Sequence, residues 1–335
     1  MTTPPPPAQR PRALVTAPFR GEGLATLESI ATVVLDPWID QTPLRIYGPD
    51  ELAARVSQEG IDILICEADF CMGAVLDLPL RAIASTRGAP TNVDVEAATS
   101  RGIPVLHAPA RNADAVAEMT VALLFAASRM LIPADRDLRA GEIVKDGRLS
   151  YQRFRSWQLA GRTAGIVGLG AVGRATKWRF EGLGMKVIAY DPYNSDAAHS
   201  LEDLLAEADV VSVHAAPTPE TLGMIGAAQF ALMKKGSIFI NSARAALHDL
   251  DALTEALLSG HLFAAGLDHF EGERLPKSHA LLALDNVVLT PHIGGATYDT
   301  EVNHSRMIAD DLVRLLSGER PRFIVNPEVL DGIPR

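Results

Sequence analysis

Three loops in the second half of the chain each follow a short apolar run and carry one residue that can take part in chemistry. These residues are Arg244, Glu273 and His292. An imidazole exchanges protons near neutral pH, and a neighbouring carboxylate can fix its tautomer and stabilise its charged form. A guanidinium binds a carboxylate through two hydrogen bonds. Each residue also has a plainer interpretation: a surface ion pair for Arg244, a solvated loop for Glu273 and a turn cap for His292.

Residues 162–191 read as a strand, a glycine-rich turn, a helix and a second strand. The turn is Gly168-Leu-Gly170-Ala-Val-Gly173, and the second strand ends at Asp191. In a dinucleotide-binding unit the first glycine permits the tight turn, the second lets the backbone approach a pyrophosphate, and the third allows close packing of helix and strand. The helix start receives the phosphates. An acid at about the spacing of Asp191 holds the adenosine ribose hydroxyls, and its charge favours NAD over NADP.

The chemistry of a bound nicotinamide requires groups of the three types named above. Hydride transfer at a carbon that bears oxygen needs a group that exchanges the oxygen's proton and a cation for the substrate carboxylate or carbonyl. Ligands of open α/β sheets bind beyond the carboxyl ends of the strands. The strands predicted to precede the three loops are Ser237–Ile240, Phe263–Leu267 and Val287–Leu289. We therefore expect the three side chains to converge on one cleft.

Short apolar runs alternate with helical segments along the chain, which indicates an α/β fold with two doubly wound parallel sheets. A length of 335 residues suits about two domains. We predict that residues 112–296 form a Rossmann NAD-binding domain inserted into a flavodoxin-like substrate domain of residues 1–111 and 297–335. The substrate is expected to bind between the two domains. Residues 1–11, rich in threonine and proline, are expected to be disordered.

The composition argues against several classes of function. A net charge of −10 and a pI near 5.4 disfavour binding to nucleic acid or to an anionic membrane. Cys66 and Cys71 are too few for a disulfide framework and are expected to be packing residues in a reducing compartment. The longest apolar stretch, Met119 to Ala127, is too short to span a bilayer. These features predict a soluble, cytoplasmic protein, and no sequence motif indicates a metal.

Several segments in a fixed order carry a family resemblance. From about residue 87 to residue 297 the chain resembles the D-isomer-specific 2-hydroxyacid dehydrogenases, which include phosphoglycerate, glycerate and formate dehydrogenases. The matching segments are LAGRTAGIVGLGAVGRATKWRFEGLGMKVIAYDPY, VVSVHAAPTPETLGMIG, FALMKKGSIFINSARAALHD, GLDHFEGERLP and NVVLTPHIGGAT. Upstream, NVDVEAATSRGIPV and ARNADAVAEMTVALLFAASR resemble the passage from the substrate domain into the inter-domain helix.

The resemblance implies a role for each matching residue. The implied catalytic residues are Arg244, Glu273 and His292. Besides the three glycines and Asp191, the implied cofactor contacts are Ala171 and Val172 at the pyrophosphate, Ala243 and Gly294 at the nicotinamide pocket, and Asp268 at the nicotinamide carboxamide. The implied contacts to the substrate carboxylate are backbone N–H groups around Arg87, Gly88 and Ala89, together with the Arg244 side chain.

Departures from the family pattern leave the identity of the substrate open. RGAPTN replaces the usual Gly-x-Gly-x-Asp-Asn run, and His107 stands where asparagine is common. Arg87 could bind a second anionic group or lie on the surface, and His107 is expected to be structural. His269 adjoins Asp268 and is expected to point away from the site, because neighbouring side chains of an extended segment face opposite ways.

We therefore expect an oxidoreductase, a homodimer, that transfers a hydride between NAD(H) and C2 of a small D-2-hydroxy acid or its 2-oxo acid. The alternative is a non-enzymatic NADH-sensing protein on the same scaffold. The C-terminal-binding-protein corepressors resemble that scaffold and keep the same three catalytic residue types. An NAD-using hydrolase such as adenosylhomocysteinase is a weaker alternative, since its own substrate motifs are not found here.

Overall fold

A computed structural model describes residues 10–332 of the chain. It forms two compact units, of which the second is Asn112–Ala296 and the first is made of the chain before and after it. Residues 1–9, most of the segment expected to be disordered, lie outside the described residues. The Pro11 carbonyl, just after them, accepts a hydrogen bond from the Thr32 N–H.

The first unit is built on a five-stranded parallel sheet. Its elements before residue 112 are β1 (Arg12–Val15), α1 (Gly21–Ile30), β2 (Thr32–Leu35), α2 (Pro49–Glu59), β3 (Ile63–Cys66), β4 (Ala82–Ser85), α3 (Val95–Ser100) and β5 (Val105–Leu106). The strand order is β2-β1-β3-β4-β5. This is the order of the flavodoxin-like fold, so the predicted fold of this unit is confirmed.

Side chains of these strands alternate between two cores, one on each face of the sheet. Leu14 and Leu64 pack into the core that contains α2, whereas Ala13 and Ile63 pack into the core on the opposite face. Continuous apolar strands, buried on both faces, are typical of parallel sheets. Cys66 and Cys71 are free and fully buried, with their Sγ atoms 3.2 Å apart.

The second unit is built on a six-stranded parallel sheet. Its elements are α4 (Ala113–Ser128), α5 (Leu131–Arg139), β6 (Val144–Lys145), β7 (Arg148–Leu149), α6 (Ser150–Arg153), β8 (Thr163–Val167), α7 (Ala171–Gly182), β9 (Lys186–Tyr190), α8 (Leu201–Glu207), β10 (Val210–Val213), α9 (Ala227–Leu232), β11 (Ile238–Asn241), α10 (Leu250–Leu258), β12 (Ala264–Leu267) and β13 (Val287–Leu289). The helix that follows, α11 (Tyr298–Leu316), belongs to the first unit. The strand order is β13-β12-β11-β10-β8-β9. A separate hairpin pairs β6 with β7.

The order of the second sheet creates a topological switch point between β8 and β10. From β8 the chain first adds β9 on one side, and all later strands are added on the other side. Ligands of doubly wound sheets bind outside the carboxyl ends of the strands at such a point. The glycine turn that follows β8 therefore lies where a Rossmann unit binds its ligand.

Helix α4 covers one face of this sheet. Leu123 and Leu124 are buried in one core with Ile166 and Ile240 of the strands. Among the described residues no single helix is both long and apolar enough to cross a membrane. Only α4 and α5 taken together, with a 61° bend between them, meet that test of length and composition.

Candidate active site

The loop after β11 presents Arg244. Buried Asn241, the last residue of the strand, shapes this loop through its amide group. Its Nδ2 donates to the Arg244 carbonyl at 2.8 Å, and its Oδ1 accepts from the Ala243 N–H at 2.9 Å. The next residue, Ser242, is tied to α4 by a 2.7 Å hydrogen bond between its Oγ and that of Thr120. The backbone that carries Arg244 is therefore fixed from both sides.

Glu273 and His292 lie in the loops after β12 and β13 and form a hydrogen-bonded pair. The His292 Nδ1 lies 2.8 Å from the Glu273 Oε1. Both residues have positive φ, 55° for Glu273 and 56° for His292. Such conformations are costly for non-glycine residues, and they concentrate at functional sites, where the surrounding structure enforces them. Both side chains remain accessible, with 43% of His292 and 57% of Glu273 exposed.

Asp268 holds the loop that carries His292. Its Oδ1 accepts hydrogen bonds from the Thr290 hydroxyl at 2.6 Å and from the Ile293 N–H at 2.9 Å. Its Oδ2 accepts from the Gly294 N–H at 2.7 Å. A Cβ at Gly294 would lie 2.8 Å from that oxygen, so a larger residue would disturb the contact. The role of Asp268 and Gly294 at the nicotinamide stays a prediction.

The prediction that His269 points away from the site is wrong. Its Nε2 lies 3.2 Å from the Arg244 Nη1, and its ring centroid lies 3.5 Å from that of His292. Neighbouring side chains do alternate here, but it is Asp268 that turns away, into the loop of residues 290–294. His269 therefore faces the trio of predicted catalytic residues, Arg244, Glu273 and His292. The sequence signal that could have placed His269 in the site is its ionisable side chain directly after Asp268.

The environment of His269 favours its neutral form. The residue is only 6% exposed. Burial, with smaller contributions from the nearby His292 and Arg244, lowers its pKa to about 4, against an opposite effect of Glu273. The ligand-type atoms of His269, Glu273 and His292 lie within 4.8 Å of one another. That spacing could hold a metal ion, but the Arg244 guanidinium beside His269 would repel a cation.

The glycine turn has the shape that a dinucleotide requires. Gly168 has a φ of 93°, and a Cβ there would lie 2.6 Å from the Ala215 N. At Gly173 a Cβ would lie 2.0 Å from the Gly168 carbonyl oxygen. A Cβ at Gly170 would meet nothing within 4 Å. The first and third glycines are thus required by packing, while the second faces open space in front of the α7 N-terminus, where Ala171 and Val172 begin the helix.

Two further groups surround this turn. Asp191 accepts hydrogen bonds from the Leu169 N–H at 2.8 Å and from the Tyr193 N–H at 2.9 Å. Its carboxylate therefore braces the glycine turn and stays half-buried at the end of β9. His214, which follows β10, has a buried Nδ1 with no hydrogen-bond partner among the described residues. A polar atom left unpaired beside the turn is compatible with a bound ligand at this place.

Apart from Arg244, the residues predicted to bind the substrate carboxylate belong to the first unit. The Arg87 Nε donates to the Glu67 carbonyl at 2.6 Å, and its Nη1 donates to the Thr91 hydroxyl at 3.2 Å. The His107 Nδ1 lies 2.7 Å from the Gly88 carbonyl oxygen. Arg87 and His107 thus hold the segment that contains Gly88 and Ala89. Substrate binding by this segment stays a prediction.

Comparison with known proteins identifies the family. Residues 121–294 match the family model for the NAD binding domain of D-isomer specific 2-hydroxyacid dehydrogenases. The chain belongs to this family. Its second unit is thus the family's NAD-binding domain, and NAD(H) is its cofactor. The open space at Gly170, the free helix start and the unpaired His214 nitrogen fit that cofactor.

Individual relatives show how far the similarity extends. A glyoxylate reductase from Thermofilum pendens is 35% identical over 337 residues, which cover 97% of either chain. A D-3-phosphoglycerate dehydrogenase from Archaeoglobus fulgidus is 42% identical over 243 residues, but the match covers 70% of this chain and only 45% of that relative. The solved structure of the TT0316 protein from Thermus thermophilus has a TM-score of 0.80 at 37% identity, covering 94% of this chain and 99% of that one.

A matched pair of glycine substitutions separates cofactor binding from folding. Gly170→Ala adds a methyl group where the structure leaves open space, so the melting temperature should change little. The same methyl group would occupy the approach of the pyrophosphate, and the Kd for NADH should rise about tenfold or more, about 1.4 kcal/mol. Gly182→Ala at the end of α7 also meets nothing within 4 Å and should leave the Kd unchanged. Fluorescence titration measures the Kd for NADH of both variants, and equal Kd values for the two would contradict the assignment of the turn to pyrophosphate binding.

Buried histidines should make stability fall in acid. Burial lowers the pKa of His214 to about 3 and those of His248 and His304 to about 4. Their unfolded value is about 6.5, so the unfolded chain binds protons first as the pH falls. The contribution is complete above about pH 7. For His248 and His304 it is lost between about pH 6.5 and 4, by at most about 3 kcal/mol each, and for His214 between about pH 6.5 and 3, by at most about 5 kcal/mol. Urea unfolding of wild type and His304→Gln at several pH values measures it. If the free energy of unfolding changed with pH equally in wild type and His304→Gln, that result would contradict the contribution of His304.

Proposed function

We propose that the chain is an NAD-dependent oxidoreductase that interconverts a small D-2-hydroxy acid and its 2-oxo acid. The observation that carries this proposal is the pair of His292 and Glu273, joined at 2.8 Å, with Arg244 linked to it through His269. The names of the relatives support the substrate class, since glyoxylate and the oxidised form of phosphoglycerate are both 2-oxo acids.

The side chains of the site divide the work of the reaction. NADH, when bound, supplies the hydride that C2 of the oxo acid receives. Arg244 binds the substrate carboxylate and polarises the carbonyl through its planar fork. Because the Nδ1 of His292 faces Glu273, its Nε2 is the nitrogen that gives a proton to the substrate oxygen. Glu273 accepts from the Nδ1–H in either charge state, so it stabilises the imidazolium that gives up its Nε2 proton in the reduction and that forms again in the reverse direction.

The experiment that tests the proposal follows NADH absorbance with a panel of 2-oxo acids. Glyoxylate, hydroxypyruvate and 3-phosphohydroxypyruvate differ in size and charge, and NADPH is run in parallel. We expect turnover with at least one acid, formation of the D-hydroxy acid, and a preference for NADH because of the Asp191 carboxylate. NADH binding without turnover of any acid in the panel would overturn the proposal and favour the NADH-sensing alternative.

We further propose that the protein forms a homodimer through its second unit. Large apolar side chains are exposed along the segment that contains α5, the β6–β7 hairpin and α6: Leu131, Ile132, Leu138, Ile143, Val144, Leu149, Tyr151 and Trp157. Such a concentration marks an interaction surface. Light scattering should give a dimer mass for wild type, a monomer mass for Ile143→Glu with Tyr151→Glu, and a dimer for the control Tyr193→Glu. A monomeric wild type would contradict the proposal.

A further inference from the structure

We infer that His269 is a positioning residue, which orients the Arg244 guanidinium toward the substrate by accepting a hydrogen bond at its Nε2. The inference rests on the proposed function, because it assigns a partner to the arginine that binds the substrate carboxylate. His269 lies outside the trio, and neither the glycine turn nor the His292–Glu273 pair needs it to explain its own geometry.

The position of His269 places it in contact with every member of the trio. Its Nε2 lies 3.2 Å from the Arg244 Nη1, and its ring lies against the His292 ring, with centroids 3.5 Å apart and planes tilted by 48°. Its Nδ1 lies 3.9 Å from the Glu273 Oε1. A side chain with 6% exposure in such a place is held rigidly by its surroundings.

The direction of the hydrogen bond follows from donor chemistry. A guanidinium nitrogen can only donate, so the His269 Nε2 must carry the lone pair and the ring proton must sit on Nδ1. That proton then faces the Glu273 carboxylate. The ring is therefore neutral and polarised in a consistent direction, from the carboxylate side to the guanidinium side. A protonated ring would instead place two cations side by side.

The hydrogen bond to His269 holds the Arg244 side chain in one orientation before the substrate binds. A long side chain loses rotamer freedom when it binds a substrate, and this loss opposes binding. The Arg244 Nη1 also donates to the carbonyl of Ala243 at 2.7 Å, so two acceptors now fix its orientation. A guanidinium held in place before binding costs less to engage than one that must be ordered by the substrate. Loss of the His269 acceptor should therefore affect the substrate more than the cofactor.

Substitution of His269 by glutamine or by asparagine distinguishes the roles of its two ring nitrogens, because the two amide side chains differ in length. Glutamine can place its Oε1 near the position of the imidazole Nε2, whereas asparagine reaches only the position of Nδ1. We expect His269→Gln to keep the KM for the best 2-oxo acid of the panel within about threefold of wild type. His269→Asn and His269→Val should raise that KM at least tenfold, with a smaller change in kcat. The Kd for NADH should remain unchanged in all three variants.

The same His269 substitution in an Arg244→Lys variant tests whether Arg244 is the partner of the His269 hydrogen bond. In Arg244→Lys the shorter ammonium lacks the planar fork, so His269→Asn should add less than threefold to the KM of that variant. Equal KM values for the Gln and Asn variants, or a full additional loss in the Arg244→Lys background, would overturn the inference. If the valine variant does not fold, the two amides decide the question. The proposed function is judged separately, by wild-type turnover of the panel and by NADH binding.

Discussion

Replacement of His292 by asparagine should reduce kcat for 2-oxo acid reduction by about 10³-fold, within the range found for general acid–base groups. Asparagine is chosen because His292 has a φ of 56° and asparagine tolerates this region better than most residues. The substitution therefore removes the proton donor with little added backbone strain. Its amide cannot protonate an alkoxide as it forms, so the loss should lie in the chemical step.

The accompanying measurements identify the cause of that loss. Single-turnover rates and the Kd for NADH are determined together, and the Kd should stay within about twofold because the glycine turn is untouched. Glu273→Gln should cost less, about 10- to 10²-fold, since it removes the partner of His292 and leaves the imidazole. His199→Asn, in the loop before α8, serves as the control for a histidine outside the site. Turnover of His292→Asn at the wild-type rate would remove His292 from the mechanism.

Replacement of Arg244 by glutamine should reduce kcat/KM for the 2-oxo acid by about 10³-fold. Loss of a charge-assisted, two-pronged contact to a carboxylate costs several kcal/mol, and each 1.4 kcal/mol is a factor of ten. Arg244→Lys keeps the charge but not the fork and should recover only part of the loss. Steady-state kinetics with the best acid of the panel, together with NADH titration, measures both effects.

Arg274 offers a matched control for the substitution of Arg244. Arg274 directly follows Glu273 and carries the same charge, but it is not part of the proposed site. Arg274→Gln therefore makes the same change in net charge and should alter kcat/KM by less than about threefold. Equal losses in the two glutamine variants would show that the general positive charge, and not the fork of Arg244, attracts the substrate.

Much of the fold was predictable from local sequence patterns. Of the strands predicted before the three loops, β13 has the predicted bounds, and β11 and β12 differ from the prediction by one residue at their ends. Apolar runs buried on both faces and glycine-rich turns depend on neighbours close in sequence, so they can be read along the chain. The steric demand at Gly173 is local in the same sense, because a Cβ there would meet the Gly168 carbonyl oxygen five positions earlier, whereas the demand at Gly168 comes from Ala215 after β10.

The arrangement of the site depended on contacts between distant segments. Sequence spacing indicated that Arg244, Glu273 and His292 follow neighbouring strands, and parallel strands bring such loops to one edge of the sheet. The spacing could not show which side chain of the loop after β12, Asp268 or His269, would face these three residues. The three hydrogen bonds that Asp268 accepts from the loop of residues 290–294 decide this, because they turn Asp268 away from the trio and His269 toward it. Those bonds join residues more than 20 positions apart, and only the folded chain brings their donors and acceptors together.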